Sequence, residues 1–517
     1  MKRNSILLGA LCVVILLLSS CRTTQRLQVL PPSEAEIRHP KREFRGAWIS
    51  TAWQSRYKEM NSEQMKQYFS RALDELQAVG INAVIFQARP HADAFYQSGI
   101  EPWSALLTGT QGKAPDNGFD PLAYLVEECH KRNMELHAWL NPYRVTAGVN
   151  DVLAPNHLYY REPQRFVTYG GKIYFDPGLP ENEAYICRIV KDIVARYDVD
   201  AIHMDDYFYP YPVAGEAFPD DASFARYAAA QGFGAEQRAD WRRNNVNKLV
   251  REIKYTIAAT KPWVRFGISP FGIYRNKKNT PDGSGSDTNG LQNYDDLYAD
   301  VLLWAKEGWI DYNMPQLYWE IGHPAADYET LIRWWSNKRD DSHLYIGQDV
   351  KRTMDATQPS GESQLEQKMV LARRMSGGSC FWPAYELLDD YKEVSTDLLL
   401  NYYRYPALIP AYTHMHGRAP KKVKKIWEEY TEKEHLLRWT ADVDPSDPEK
   451  AKYYVVYRFA KSEKENTDDA SRIVSITRQP QYVLPYEGGR GSEYKYVVTA
   501  VDAFHNESKG RTKKVKL

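Results

Sequence analysis

The sequence predicts an α/β fold, a (β/α)8 TIM barrel, followed by a small all-β sandwich. Eight short apolar runs alternate with amphipathic helical stretches after Phe44, the pattern of repeated βα units. The connections that follow strands are long and those that follow helices are short, as in barrels elaborated at one end. After Tyr405 the helical periodicity stops and only strand-like runs remain. No glycine-rich turn follows the first strand, which argues against an open, doubly wound nucleotide-binding sheet.

The N-terminus comes first in the chain and lies outside that pattern. Lys2 and Arg3 precede an apolar run over 6–18, and Leu18-Ser19-Ser20-Cys21 resembles a bacterial lipobox. The run is shorter than the roughly 20 residues a membrane span needs. The expectation is a signal peptide at 1–20, lipidation of Cys21 and a tether over 21–43. The chain would then reside in the cell envelope, anchored by lipid to the outer membrane and facing the periplasm. Of five cysteines, Cys129, Cys187 and Cys380 remain within the fold. Their spacing suits neither a disulfide framework nor a zinc site, so buried thiols are expected, and neither metal nor cofactor.

The 517 residues carry 67 Lys and Arg against 67 Asp and Glu. Zero net charge supplies no general attraction to nucleic acid, and no such partner is expected. With 43% hydrophobic and 26% charged residues, disorder over most of the length is excluded.

The barrel is placed at 44–405. Its strands are read at 45–50, 82–89, 135–142, 201–206, 264–270, 311–319, 344–347 and 379–383. Helices are read at 62–79, 122–132, 183–196, 238–259, 294–307 and 365–375. Long connections at 90–120, 144–180, 207–237 and 271–292 each follow a strand, so they belong to the face where barrels build active sites. Pro406, Pro410 and Pro420 punctuate a linker over 406–420. The sandwich, 421–517, has strands at 433–439, 453–459, 481–485 and 494–502. The run from Tyr494 to Asp502 followed by Asn506-Glu507-Ser508 resembles the end of a fibronectin type III domain. A spacer, or a module touching protein or glycan, is the role this implies.

Residues two apart on a strand share a face. On the third strand His137, Trp139 and Asn141 therefore point into the barrel, and on the fourth His203 and Asp205, with Asp206 and Tyr207 at the lip. Gln87 and Arg89 on the second strand and Gln316 and Tyr318 on the sixth point the same way. So many polar side chains at one rim are costly to bury without a ligand. Glycosidases need two carboxyl groups across a sugar. Asp205 is the first candidate, as nucleophile or base. Asp206 is its neighbour, able to share the role or to orient Arg89 and His137. Glu101, flanked by Pro102 and Trp103, is the candidate acid, because an apolar flank raises a carboxyl pKa. Glu320 is another possible partner. Trp103, Trp139, Tyr143, Tyr207, Tyr318, Trp319 and Trp382 are candidate stacking platforms. A metal hydrolase built on His137, His203 and Asp205 is the rival chemistry, and a glycan-binding protein without turnover is the rival class.

Six motifs in order support a resemblance. They are Arg45-Gly46-Ala47-Trp48, Gln87-Ala88-Arg89-Pro90, Glu101-Pro102-Trp103-Ser104, the run from His137 to Arg144, His203-Met204-Asp205-Asp206-Tyr207 and Pro315-Gln316-Leu317-Tyr318-Trp319. Together they resemble glycosyl-hydrolase-like family ten, TIM-barrel lipoproteins and secreted proteins of bacteria. The resemblance implies an envelope glycoside hydrolase acting on a polysaccharide, with peptidoglycan strands stripped of stem peptides as the leading substrate and a dietary or capsular glycan as the alternative. It carries Glu101, Asp205 and Asp206 over as catalytic positions, and Arg144 joins the expected substrate contacts.

Overall fold

The computed structural model describes residues 38–148, 150–338, 340–486 and 491–517. The leader, Cys21 and the tether as far as residue 37 lie outside the described residues.

Eight parallel strands form the barrel: β1 (Phe44–Ile49), β2 (Ala83–Arg89), β3 (Glu135–Leu140), β4 (Ala201–Met204), β5 (Arg265–Ile268), β6 (Tyr312–Asn313), β7 in two segments (His343–Leu344 and Ile346–Asp349) and β8 (Gly378–Trp382). Each pairs with the next, and β8 returns to β1 in the register Phe44↔Gly378 through Ala47↔Phe381. Alternation along the strands sorts side chains into two cores. Val84, Phe86, Leu136, Ala138, Ile202 and Met204 face the surrounding helices. Phe44, Trp48, Ile85, Trp139 and Tyr312 fill the barrel itself. Gly267 makes room for that filling: a Cβ there would lie 1.9 Å from the Tyr312 ring.

The helices begin and end where local chemistry directs. α1 (Ser62–Val79) opens on a capping box in which Asn61 and Gln64 each accept the other's backbone N–H. It closes on Gly80 at φ 102°, a left-handed stop that delivers the chain into β2 within three residues. The helix expected at 294–307 is instead two, Asn293–Asp296 and Val301–Lys306, because Tyr298 turns at φ 55° and Asp300 caps the second. The sixth strand is shorter than expected. Pro315 has no N–H to give, and Gln316 continues alongside the sheet only through isolated bridges to Phe271 and Gly347.

The C-terminal region is all-β. Lys425–Tyr430, His435–Thr440 and Gln481–Val483 form one antiparallel sheet, and Tyr453–Ala460, Ile473–Thr477, Glu493–Val501 and Arg511–Lys516 another. It docks on the N-terminal end of the barrel. There His505 Nε2 meets Glu135 Oε1 at 2.7 Å and Arg265 Nη1 at 3.0 Å, and Asn133 Nδ2 donates to the Ile476 carbonyl at 2.6 Å. A cavity of about 620 Å³ lies along this junction, at the opposite end from the polar rim.

Candidate active site

The C-terminal lip of β4 carries two adjacent carboxylates that turn apart. Asp205 Oδ2 accepts from Trp139 Nε1 at 3.0 Å, and its Oδ1 from the Tyr207 amide at 3.3 Å. Asp206 reaches the other way, accepting from Gln316 Nε2 at 3.2 Å and from the Tyr211 hydroxyl. Both are buried, 5% and 2% exposed, and every donor on them is neutral. Burial, then the charge of Asp206, pushes Asp205 up to about 7. Burial also raises Asp206, against the bond from Tyr211 that lowers it. The charge of Asp206 is thus among the causes that raise Asp205, and Asp205 is not among those that raise Asp206.

Glu101 is not arranged as an acid. Arg89 grips both its oxygens, Nε to Oε2 and Nη2 to Oε1 at 2.7 Å each, with both side chains 1% exposed. That fork occupies both oxygens, so Glu101 is tied to the second strand and does not stand free beside Pro102 and Trp103 as the expected acid would. Arg89 also donates to the Asn141 and Pro142 carbonyls, tying the second strand to the third. Asp206 orients neither Arg89 nor His137, since its partners are Gln316 and Tyr211.

His137 and His203 sit beneath the rim and do not line it. Trp48 Nε1 donates to His203 Nε2 at 3.3 Å, so His203 carries its proton on Nδ1 and donates to the Tyr312 hydroxyl at 2.9 Å. Tyr312 then donates to His137 Nδ1, and His137 Nε2 donates to Glu135, each at 2.9 Å. All four imidazole nitrogens are taken within the protein. The metal set of His137, His203 and Asp205 therefore does not fit, and neither histidine is placed to touch a sugar.

The other expected contacts divide. Gln87 Oε1 accepts from the Thr51 and Ala52 amides at 2.9 and 2.8 Å, which fixes the loop after β1 and leaves that oxygen no ligand to meet. Tyr143 is buried in the outer core and is corrected from a stacking platform to packing, while Trp103 is half-buried against that core. Asn141 is buried; its Oδ1 accepts from the Arg144 amide at 3.0 Å. Trp139 meets half-buried Trp382 edge-on, ring centres 6.0 Å apart, beside Asp205. Tyr207 stacks on Tyr211 at 5.3 Å and lies under Arg144 at 4.3 Å. Tyr318, Trp319 and Glu320 are half-buried beyond β6, Trp319 edge-on to Phe271 at 5.3 Å.

Sequence reasoning missed two rim groups. Tyr211, the donor to Asp206, was legible as the last ring of the run Tyr207-Phe208-Tyr209-Pro210-Tyr211. Asp349 ends β7 and caps the following helix through the Arg352 amide at 2.8 Å. It followed a strand too weakly patterned to mark its lip.

A parallel barrel with buried, neutral-bonded carboxylates at its C-terminal lip, beside tryptophan and tyrosine, is an arrangement compatible with glycoside hydrolysis. Residues 43–362 match the family described as Glycosyl hydrolase-like 10, and the chain belongs to it. It is 40% identical over 487 residues to Glycosyl hydrolase YngK of Bacillus subtilis (strain 168), covering 92% of this chain and 94% of that protein. It is 37% identical over 364 residues to Glycosyl hydrolase DigH of Escherichia coli (strain K12), covering 65% of this chain and 81% of that one. Among solved structures, the PgaB (BpsB) glycoside hydrolase domain from Bordetella bronchiseptica aligns over 70% of this chain and 99% of that one, with 10% identity and a TM-score of 0.42.

Proposed function

We propose that this chain is a lipid-anchored envelope enzyme that hydrolyses the glycosidic bonds of peptidoglycan strands lacking stem peptides. The observation that carries the catalytic part is the Asp205–Asp206 pair: two buried carboxyls at the lip of β4, turned apart onto neutral donors, with Asp205 pushed up to about 7 by burial and by its neighbour. Asp205 gives its proton to the departing glycosidic oxygen, and Asp206 supplies negative charge to the oxocarbenium-like transition state. Half-buried Trp382 and Tyr211 offer ring surface to the sugars. The six motifs and the family support this reading, and the leader ending in Cys21 supports the location.

The test uses the soluble form beginning after Cys21 with sacculi before and after an amidase removes the stem peptides, and mass spectrometry of what is released. Wild type is expected to release sugars from stripped strands. Asp205→Asn and Asp206→Asn should each fall by about 10²–10⁴-fold, the scale of a lost acid or base. Binding to the strands with no release by wild type would replace the enzyme by a glycan-binding protein.

A further inference from the structure

Arg144 departs from the way this protein treats its other deep guanidinium groups. Arg89 holds Glu101 and Arg265 holds Glu135, which is what a buried cation requires. Arg144 is 8% exposed, and among the described residues its Nε has no partner and it enters no ion pair. Its guanidinium lies over the Tyr207 ring, 4.3 Å from the centroid, and its backbone is bridged to Tyr174. Asp205 and Asp206 feel its charge without bonding to it.

Two neighbours share the anomaly. The hairpin Phe166–Tyr169 and Lys172–Phe175 lies against the chain after β3, with Arg144 bridged to Tyr174. Lys172 is two residues from Tyr174, on the same strand face, half-buried and likewise without a carboxylate among the described residues. Burial and the charge of Arg144 hold its ammonium below the usual lysine range. His91, 7% exposed, has an Nε2 with no partner among the described residues. Burial, then Arg144, Arg89 and Lys172, push it to about 3, so it stays neutral and its free nitrogen can serve as a donor. Two cations and an uncommitted imidazole beside a catalytic pair make a place short of one negative charge.

We infer that Arg144, Lys172 and His91 form an anion subsite next to Asp205–Asp206 that takes a carboxylate carried by the sugar itself. This deepens the proposed function and rests on it for the identity of the sugar. In peptidoglycan the lactyl group of muramic acid is joined to the stem peptide as an amide. Hydrolysis adds water across that amide: the carbon–nitrogen bond breaks, the peptide leaves with its amine, and the lactyl group keeps a free carboxylate. An intact strand offers this subsite a neutral amide and a peptide. A stripped strand offers the missing charge. Preference for stripped strands thus has an electrostatic origin in addition to the room the absent peptide leaves.

The test compares stripped strands with the same strands after their lactyl carboxylates are coupled to methylamine, which removes the charge but adds little bulk. Wild type should cleave the charged strands about 10–100-fold more efficiently in kcat/KM, the scale of charge-assisted bonds. Arg144→Gln should collapse that ratio toward one, Arg144→Lys should restore part of it, and Lys172→Gln, at a half-buried position, should reduce it by a smaller factor. Equal cleavage of both substrates by wild type would overturn the subsite and leave the glycosidase standing. Cleavage of neither would fell the substrate reading. The subsite is then judged by calorimetric titration with N-acetylmuramic acid against N-acetylglucosamine: tighter binding of the acid that Arg144→Gln abolishes supports it, and equal binding overturns it.

Discussion

At the N-terminal end of the barrel Glu135 accepts from Arg265, His137 and His505, and Asp311 from Lys254 at 2.6 and 2.7 Å. At the C-terminal end, one strand length away, Asp205 and Asp206 accept from an indole, an amide N–H, a side-chain amide and a phenol. Burial is similar at both ends. The opposed outcome follows from the donors: Arg265 and His505 hold Glu135 well below the usual carboxylate range against its burial, whereas burial raises both Asp205 and Asp206. The lower carboxylates are tied off as structure, and the upper pair keeps a proton to give. Such a division gathers the destabilising carboxyls at the C-terminal lip and offsets them at the far end.

Glu135→Gln leaves Arg265 buried opposite a neutral amide and loosens the bond to His505 that docks the C-terminal sheets. A loss of about 3–5 kcal/mol is expected, read from denaturant unfolding at pH 7. The sign is fixed by the lowered folded pKa of Glu135. Its contribution is present above the unfolded value near 4.5 and is lost as pH falls through the folded one. The gap between wild type and variant should therefore narrow in acid. Equal stability at pH 7 would mean that the ionic layer does not hold the barrel to its partner sheets.

The upper pair predicts the reverse. Asp205 has a folded value raised from 3.8 to about 7, so its contribution is complete below pH 4 and is lost as pH rises through 7. Asp205→Asn keeps an acceptor for Trp139 and has no charge to develop. Beside its loss of turnover, it should gain on wild type as pH rises from 5 to 8, by on the order of 3 kcal/mol, seen as a crossing of the two unfolding midpoints. A variant uniformly less stable than wild type would show that the carboxylate is as well satisfied as those below.

Most of the frame behind this contrast was legible in the sequence. Strand alternation placed Arg89, His137, Trp139, His203 and Asp205 inside the barrel, and the apolar clusters have their strand neighbours on the two sides accordingly. Alternation fixes a side but not a depth. It could not tell His203, two residues below the lip and bonded to Tyr312, from Asp205 at the lip itself. Nor could it foresee that Arg89 would spend its fork on Glu101, because that pairing joins a strand to a loop twelve residues later. Strands such as Arg511–Lys516, with Val515 their one deeply buried side chain, are held by pairing more than by apolar pattern. Such strands left little to read.

Tyr211 tests the finer half of the comparison, the claim that a neutral phenol is what keeps Asp206 ionised beside a protonated Asp205. Its hydroxyl bond lowers Asp206 against the burial that raises it. Tyr211→Phe keeps the ring against Tyr207 and removes only that bond, so the folded value of Asp206 rises further. Catalysis that needs Asp206 charged then loses its acid side first. The acid limb of kcat/KM should move up by roughly 0.5–1 pH unit, about the worth of one hydrogen bond to a carboxylate. The rate at the optimum should fall by less than about tenfold. An unmoved acid limb would assign the charge to Asp205 instead, and with it the nucleophile's or base's place that the strand geometry alone left open to either residue.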